Sequence, residues 1–153
     1  MAESFDFVVF RLNTYQYALP LNVVEKVVRV VQIMPVPHVP HAILGIINVH
    51  GRIAPVLDLQ HWLGGDPQEV TLSHQLVLVN TSKRLIALLV DEIQGVITPS
   101  VKSVLSTEEI LPGISYLKGG IKSGESLILV QNVEALLSSE DEAKLTDLLK
   151  EMV

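Results

Sequence analysis

Two stretches of this chain, about seventy residues apart, follow one pattern, and that repetition limits the fold more than any other feature. Phe5–Leu12 and Tyr15–Leu19 flank the turn Asn13-Thr14; Gln75–Asn80 and Arg84–Val90 flank the turn Thr81-Ser82-Lys83. Both read as hairpins of apolar-rich strands. Ala18-Leu19 matches Ala87-Leu88 at an offset of 69, while Asp58, Leu59 and Leu63 match Asn132, Val133 and Leu137 at 74. Each half predicts a hairpin, a short turn of helix, more strand and a capped terminal helix. Internal duplication explains this most economically; chance matching between β-rich segments is the alternative. Duplication predicts a mostly β fold of two small barrels of about five strands each, their remaining apolar faces packed on a shared core. The two units span about 5–63 and 75–137, with an exchange of strands between them left open, and 138–153 form a C-terminal helix.

The connecting segments carry their own signals. Asn22 is the expected N-cap of one helical turn within Leu21–Val27, with Asp91-Glu92-Ile93 its counterpart after the second hairpin. Val28–Met34 is β-branched and extended, and three prolines within Pro35–Pro40 give a stiff connector. Leu44–Val49 and Ile53–Leu57 form a hairpin about His50-Gly51-Arg52, with Pro55 predicting an edge or a bulge. Asp58 caps a short helix over Leu59–Leu63 that Gly64-Gly65 ends. Ile114–Ile121 and Ser126–Val130 make the last strand pair. Ser139 and Glu142 fit a capping box, and Leu145, Leu148, Leu149 and Met152 fall on one helical face, to dock on this domain or on a partner.

Composition excludes several classes of function. A chain of 153 residues buries roughly 70% of its unfolded surface. A net charge of −6 without a Lys/Arg cluster argues against nucleic acid and anionic membranes. The absence of cysteine removes disulfides, thiolate catalysis and Cys-based metal sites. The opening Met-Ala-Glu-Ser-Phe-Asp has no positive region of a signal peptide, and Leu85–Val90 is far short of the roughly 20 residues a membrane span needs. A soluble cytoplasmic protein is expected. Only 18% of residues are charged, against about 25% in ordinary domains. That leaves apolar surface for partners, or reflects only a small domain dense in β-branched residues.

Catalytic signatures are missing. Gly119-Gly120 fits neither a Walker pattern nor GxGxxG, and no nucleophile elbow is present. Asp91, Glu92, Glu108, Glu109 and Glu140–Glu142 gather at expected helix starts, where capping and the helix dipole account for them. The five histidines, His38, His41, His50, His61 and His74, show no ligand spacing, so no metal and no cofactor is expected.

What remains is a polar turn between apolar strands: Gly45-Ile46-Ile47-Asn48-Val49-His50-Gly51-Arg52, closing at Pro55-Val56-Leu57-Asp58-Leu59. Together with Tyr17-Ala18-Leu19-Pro20-Leu21, Leu88–Val96 and Gly124–Leu137, this order of motifs resembles the CheW-like family of chemotaxis coupling proteins over about Phe5 to Leu137. The resemblance implies two SH3-like five-stranded barrels, no catalysis, and a stand-alone adaptor in the cytoplasm at receptor arrays. Its implied partners are the CheA histidine kinase, through that kinase's own CheW-like regulatory domain, and the cytoplasmic tips of methyl-accepting chemoreceptors. Apolar strand faces would pack barrel on barrel, and a groove between the barrels would accept the receptor's helical tip. Carried over residue by residue, the receptor-facing set is Val24, Gly45, Asn48, His50 and Gly51. Two positions depart from the family pattern: His50 stands where Arg is usual, and Lys26 where an acid is common. The competing readings are a small-molecule or metal-binding β-barrel using His38, His41 and His50, and the same adaptor serving a pathway other than flagellar chemotaxis.

Overall fold

The computed structural model describes residues 6–110, 113 and 116–151. Of the sequence expectations, those on Phe5, Ile114 and Met152 lie outside the described residues. Eleven strands are seen among the described ones, in two sheets. The first sheet holds β1 (Phe7–Leu12), β2 (Tyr15–Pro20), β8 (Glu92–Ile97), β9 (Val104–Leu105), β10 (Leu117–Ser123) and β11 (Ser126–Gln131), in the order β8-β1-β2-β11-β10-β9. The second holds β3 (Val24–Arg29), β4 (Ile43–Val49), β5 (Arg52–Asp58), β6 (Gln75–Asn80) and β7 (Leu85–Val90), in the order β3-β6-β7-β5-β4.

Both sheets therefore draw on both halves of the chain. The hairpin β1–β2 sits with β8, β10 and β11, while the hairpin β6–β7 sits with β3, β4 and β5. Replacing β1, β2, β3, β4 and β5 by β6, β7, β8, β10 and β11 turns one strand order into the other, β9 being extra. Each sheet has one parallel contact, and the matched alanines lie in it: Ala18 opposite Val130, and Ala87 opposite Val56. The strand ladders do not close, so the expectation of closed five-stranded barrels is corrected to two curled open sheets.

Three apolar clusters account for the curl and for the pairing of the sheets. Phe7, Val9, Ala18, Ile121, Ile128 and Val130 come from the first sheet alone. Ile47, Ala54, Val56, Leu76, Leu78, Ala87 and Leu89 come from the second alone, so each sheet wraps over its own apolar face. The third cluster lies between the sheets and joins Phe10, Leu12 and Leu19 of one to Leu57, Val77, Ile86 and Leu88 of the other. β7 is buried along its whole length because its two faces serve two clusters. Strands buried on both sides read as unbroken apolar runs, as Leu85–Val90 does.

Several local expectations are corrected. After Pro20 the chain makes only a 3-10 turn, Leu21–Val23, with no side-chain cap, and Val24 and Val27 belong to β3. Asn22 is thus not a cap: it lies inside this turn, whose N-cap position is held by Pro20. Asp91 likewise starts no helix. Its carboxylate accepts from the Asn13 N–H at 2.6 Å, and Glu92 opens β8. Pro55 lies in an inner strand, tolerated because the parallel ladder with β7 begins one residue later, at Val56. The bulge is in β4, between Ile43 and Gly45.

Other expectations match what is observed. Asp58 caps α1 (Leu59–Trp62), accepting from the His61 N–H at 3.2 Å, and α2 (Thr107–Ile110) places Glu108 and Glu109 in its first turn. The C-terminal helix α3 (Ser139–Glu151) is boxed one residue earlier than expected: Ser138 Oγ accepts from the Asp141 N–H at 3.0 Å, and Asp141 Oδ2 from the Ser138 N–H at 3.3 Å. Glu142 is freed to turn inward, where Arg84 Nε meets its carboxylate at 2.6 Å. With Leu145 in the inter-sheet cluster, α3 docks on its own domain.

Candidate functional site

Val49 and Arg52 pair directly, so the polar turn is the two-residue loop His50-Gly51. Its φ angles of 50° and 88° are both positive, as a type I′ turn requires. Gly51 adopts this freely and His50 is among the few side chains that tolerate it. Asn48 Oδ1 accepts from the Gly51 N–H at 2.7 Å and closes the turn.

From that turn Arg52 reaches Glu25, one guanidinium nitrogen standing 2.8 and 2.7 Å from the two carboxylate oxygens. Asn80 Nδ2 also donates to Glu25, at 3.3 Å. The hydrogen bond from Arg52, seconded by Asn80, holds the Glu25 carboxyl below the usual carboxylate range. Glu25 is the extra residue of a bulge in β3, since Val24 pairs with Val79 and Lys26 with Leu78. β3 and β5 are three places apart in the sheet, about 14 Å if it were flat, so the pair depends on the curl.

The ion pair puts Val24 and Lys26 on one side and His50-Gly51 on the other. Asn48, His50 and Gly51 are exposed, whereas Val24 is half-buried against the inter-sheet cluster. Gly45 is buried: a Cβ there would overlap the carbonyl oxygen of Met34, which bonds to Ile46 through both N–H groups at 2.8 and 2.9 Å. Sequence reasoning missed Glu25 and Asn80, because a contact made by curling a sheet has no fixed spacing along the chain.

The apolar surface is also laid out twice. Val27 on β3 and Ile53 on β5 are exposed on one sheet, and Val96 on β8 and Leu127 on β11 on the other. These pairs obey the same offsets of 69 and 74. An open pocket of about 400 Å³ lies between the β1–β2 hairpin, which gives Leu12, Tyr15 and Tyr17, and α1 with the loop after it, which give Gln60, Leu63 and Asp66. Val24, Gly45, Asn48, His50 and Gly51 do not line it.

Among the described residues no three His, Cys, Asp or Glu converge to hold a metal, so His38, His41 and His50 form no such group. Nor, among them, is any helix long and apolar enough to cross a membrane.

Residues 6–141 match the family model of the CheW-like domain. The chain is 26% identical over 141 residues to the probable chemotaxis protein CheW of Rhizobium etli, covering 90% of this chain and 91% of that one. It is 28% identical over 154 residues to the chemotaxis protein CheW of Treponema pallidum, covering 95% and 89%. The crystal structure of the scaffolding protein TtCheW from Thermoanaerobacter tengcongensis is similar at a TM-score of 0.79 and 26% identity, over 90% of this chain and 95% of that one. With a family match over nearly its whole length and the same fold as a scaffolding relative, the chain belongs to the CheW-like family and is a non-catalytic chemotaxis adaptor.

Proposed function

We propose that this adaptor joins the cytoplasmic tips of methyl-accepting chemoreceptors to the CheA histidine kinase, through the kinase's CheW-like regulatory domain, in the cytoplasm at receptor arrays. Each curled, open sheet is read as SH3-like in its strand arrangement, and the whole as one domain of two pseudo-repeated units that exchange strands. The carrying observation is the Glu25–Arg52 pair, which joins Val24 and the His50-Gly51 turn into one surface. On that surface Val24, Asn48, His50 and Gly51 meet the receptor. Gly45 contributes by admitting Met34 and so shaping β4, since a buried backbone position makes no partner contact.

The two family departures read differently once this pair is seen. Lys26 and His50 lack the usual acid and cation, yet Glu25 stands one position before the first and Arg52 two positions after the second. Recognition here uses those two charges. The exposed pairs Val27/Ile53 and Val96/Leu127 give two apolar faces for packing against other coupling domains.

Retention of a receptor cytoplasmic fragment and of the kinase regulatory domain tests this reading. Glu25→Lys should lose receptor at least tenfold and keep kinase, while His50→Arg should change neither. Unaltered receptor retention by Glu25→Lys, or tighter retention by His50→Arg, would contradict it.

A further inference from the structure

The histidines, scattered in sequence, are not all scattered in space. His41, just before β4, and His61, in α1, face one another with ring centroids 4.4 Å apart and planes at 47°. His61 Nδ1 lies 3.1 Å from the Gly65 carbonyl oxygen. A carbonyl only accepts, so Nδ1 carries the hydrogen and Nε2 is the nitrogen left for another partner. That arrangement, one ring nitrogen bonded to a backbone carbonyl and the other free, is how proteins fix a histidine that binds a metal. His41 is exposed.

We infer that His41 and His61 form a two-imidazole site for a borderline divalent transition-metal ion, such as Zn²⁺, Ni²⁺ or Cu²⁺. Two imidazole nitrogens at about 2.1 Å from one zinc ion, at a tetrahedral angle, set their ring centroids roughly 5 Å apart. The observed 4.4 Å is within a small rotation of the exposed ring. Imidazole ligation favours these ions over Mg²⁺ and Ca²⁺, which seek oxygen. No third protein ligand converges among the described residues, so water completes the coordination shell. A net charge of −6 favours cation approach. The bound ion would tie the proline-rich connector before β4 to α1, a link of 20 residues in sequence. This is independent of the adaptor reading.

The test is calorimetric titration of the chelator-stripped full chain with Zn²⁺ at pH 7.5 for wild type, His41→Ala, His61→Gln and His38→Ala. One equivalent should bind wild type and His38→Ala alike, and binding should weaken at least tenfold in His41→Ala and His61→Gln. Histidine ring ¹⁵N shifts should move for His41 and His61 alone, and the exposed His41 makes loss of folding an inadequate explanation for its variant. Binding only above 1 mM, or equal binding by His41→Ala and wild type, would overturn the inference.

Discussion

Gly45 and Gly119 occupy the same place in the two sheets. Each follows a register shift in its strand, with φ of 155° and 154°, and each lies against the backbone of the segment paired beside its strand, Met34 for β4 and β9 for β10. A Cβ on Gly45 would overlap the Met34 carbonyl oxygen, and one on Gly119 would stand 2.5 Å from that of Leu105. They are 74 residues apart, the offset that also separates Asp58 from Asn132. Gly45→Ala and Gly119→Ala should each lower stability by about 2 kcal/mol or more, read as a fall in the urea midpoint. Gly51→Ala meets open space and bears only the cost of its positive φ, about 1–2 kcal/mol.

α3 is fastened through Arg84, whose Nε bonds to Glu142 and whose Nη2 donates to the Glu142 carbonyl at 3.3 Å and to Thr146 Oγ1 at 2.8 Å. Their side chains are only 14% and 10% exposed. Removing one partner strands the other in a poorly solvated place. Arg84→Met should cost about 3 kcal/mol, and Arg84→Met with Glu142→Leu appreciably less. Equal losses in the single and double variants would contradict this.

Leu88 and Leu89 are adjacent and fully buried, but face different clusters. Leu88→Ala and Leu89→Ala should therefore each cost about 2–5 kcal/mol. On a strand with one wet face, one of the two would be nearly neutral. Thermal or urea unfolding of both variants decides this.

The acid limb of stability should carry the mark of two exposed carboxyls. The hydrogen bond from Arg52 depresses Glu25, and those from Ser82 depress Glu134. A carboxyl held low in the fold stabilises it above its unfolded pKa of about 4.3, and this is lost as pH falls through the lower folded value. The Glu25→Gln/Glu134→Gln double variant should lose less stability than wild type between pH 5 and 3. Tyr17 acts at the other end: burial raises its hydroxyl pKa, so its contribution fades as pH rises beyond 10.

The hairpins were legible because alternation, turn residues and caps are local, and Asp58, Gly64 and the turn at His50 stand where the pattern put them. Which strand pairs with which was not. β3 crosses to β6 and β8 to β1, and no local signal in Val24–Arg29 or Glu92–Ile97 names a partner. The shift of the α3 box from Ser139/Glu142 to Ser138/Asp141 arose because both spacings fit the same rule, and only the inward pull of Arg84 on Glu142 separates them. In the candidate site the turn was visible in the sequence and its ion-paired neighbour on β3 was not.

The bridging proposed for this chain is read from sedimentation of receptor arrays with the CheA kinase, with and without the chain. The kinase should pellet with receptor only when the chain is present, and Glu25→Lys should leave both kinase and chain in the supernatant. Kinase that pellets equally without the chain, or a chain that binds neither component, would contradict the account.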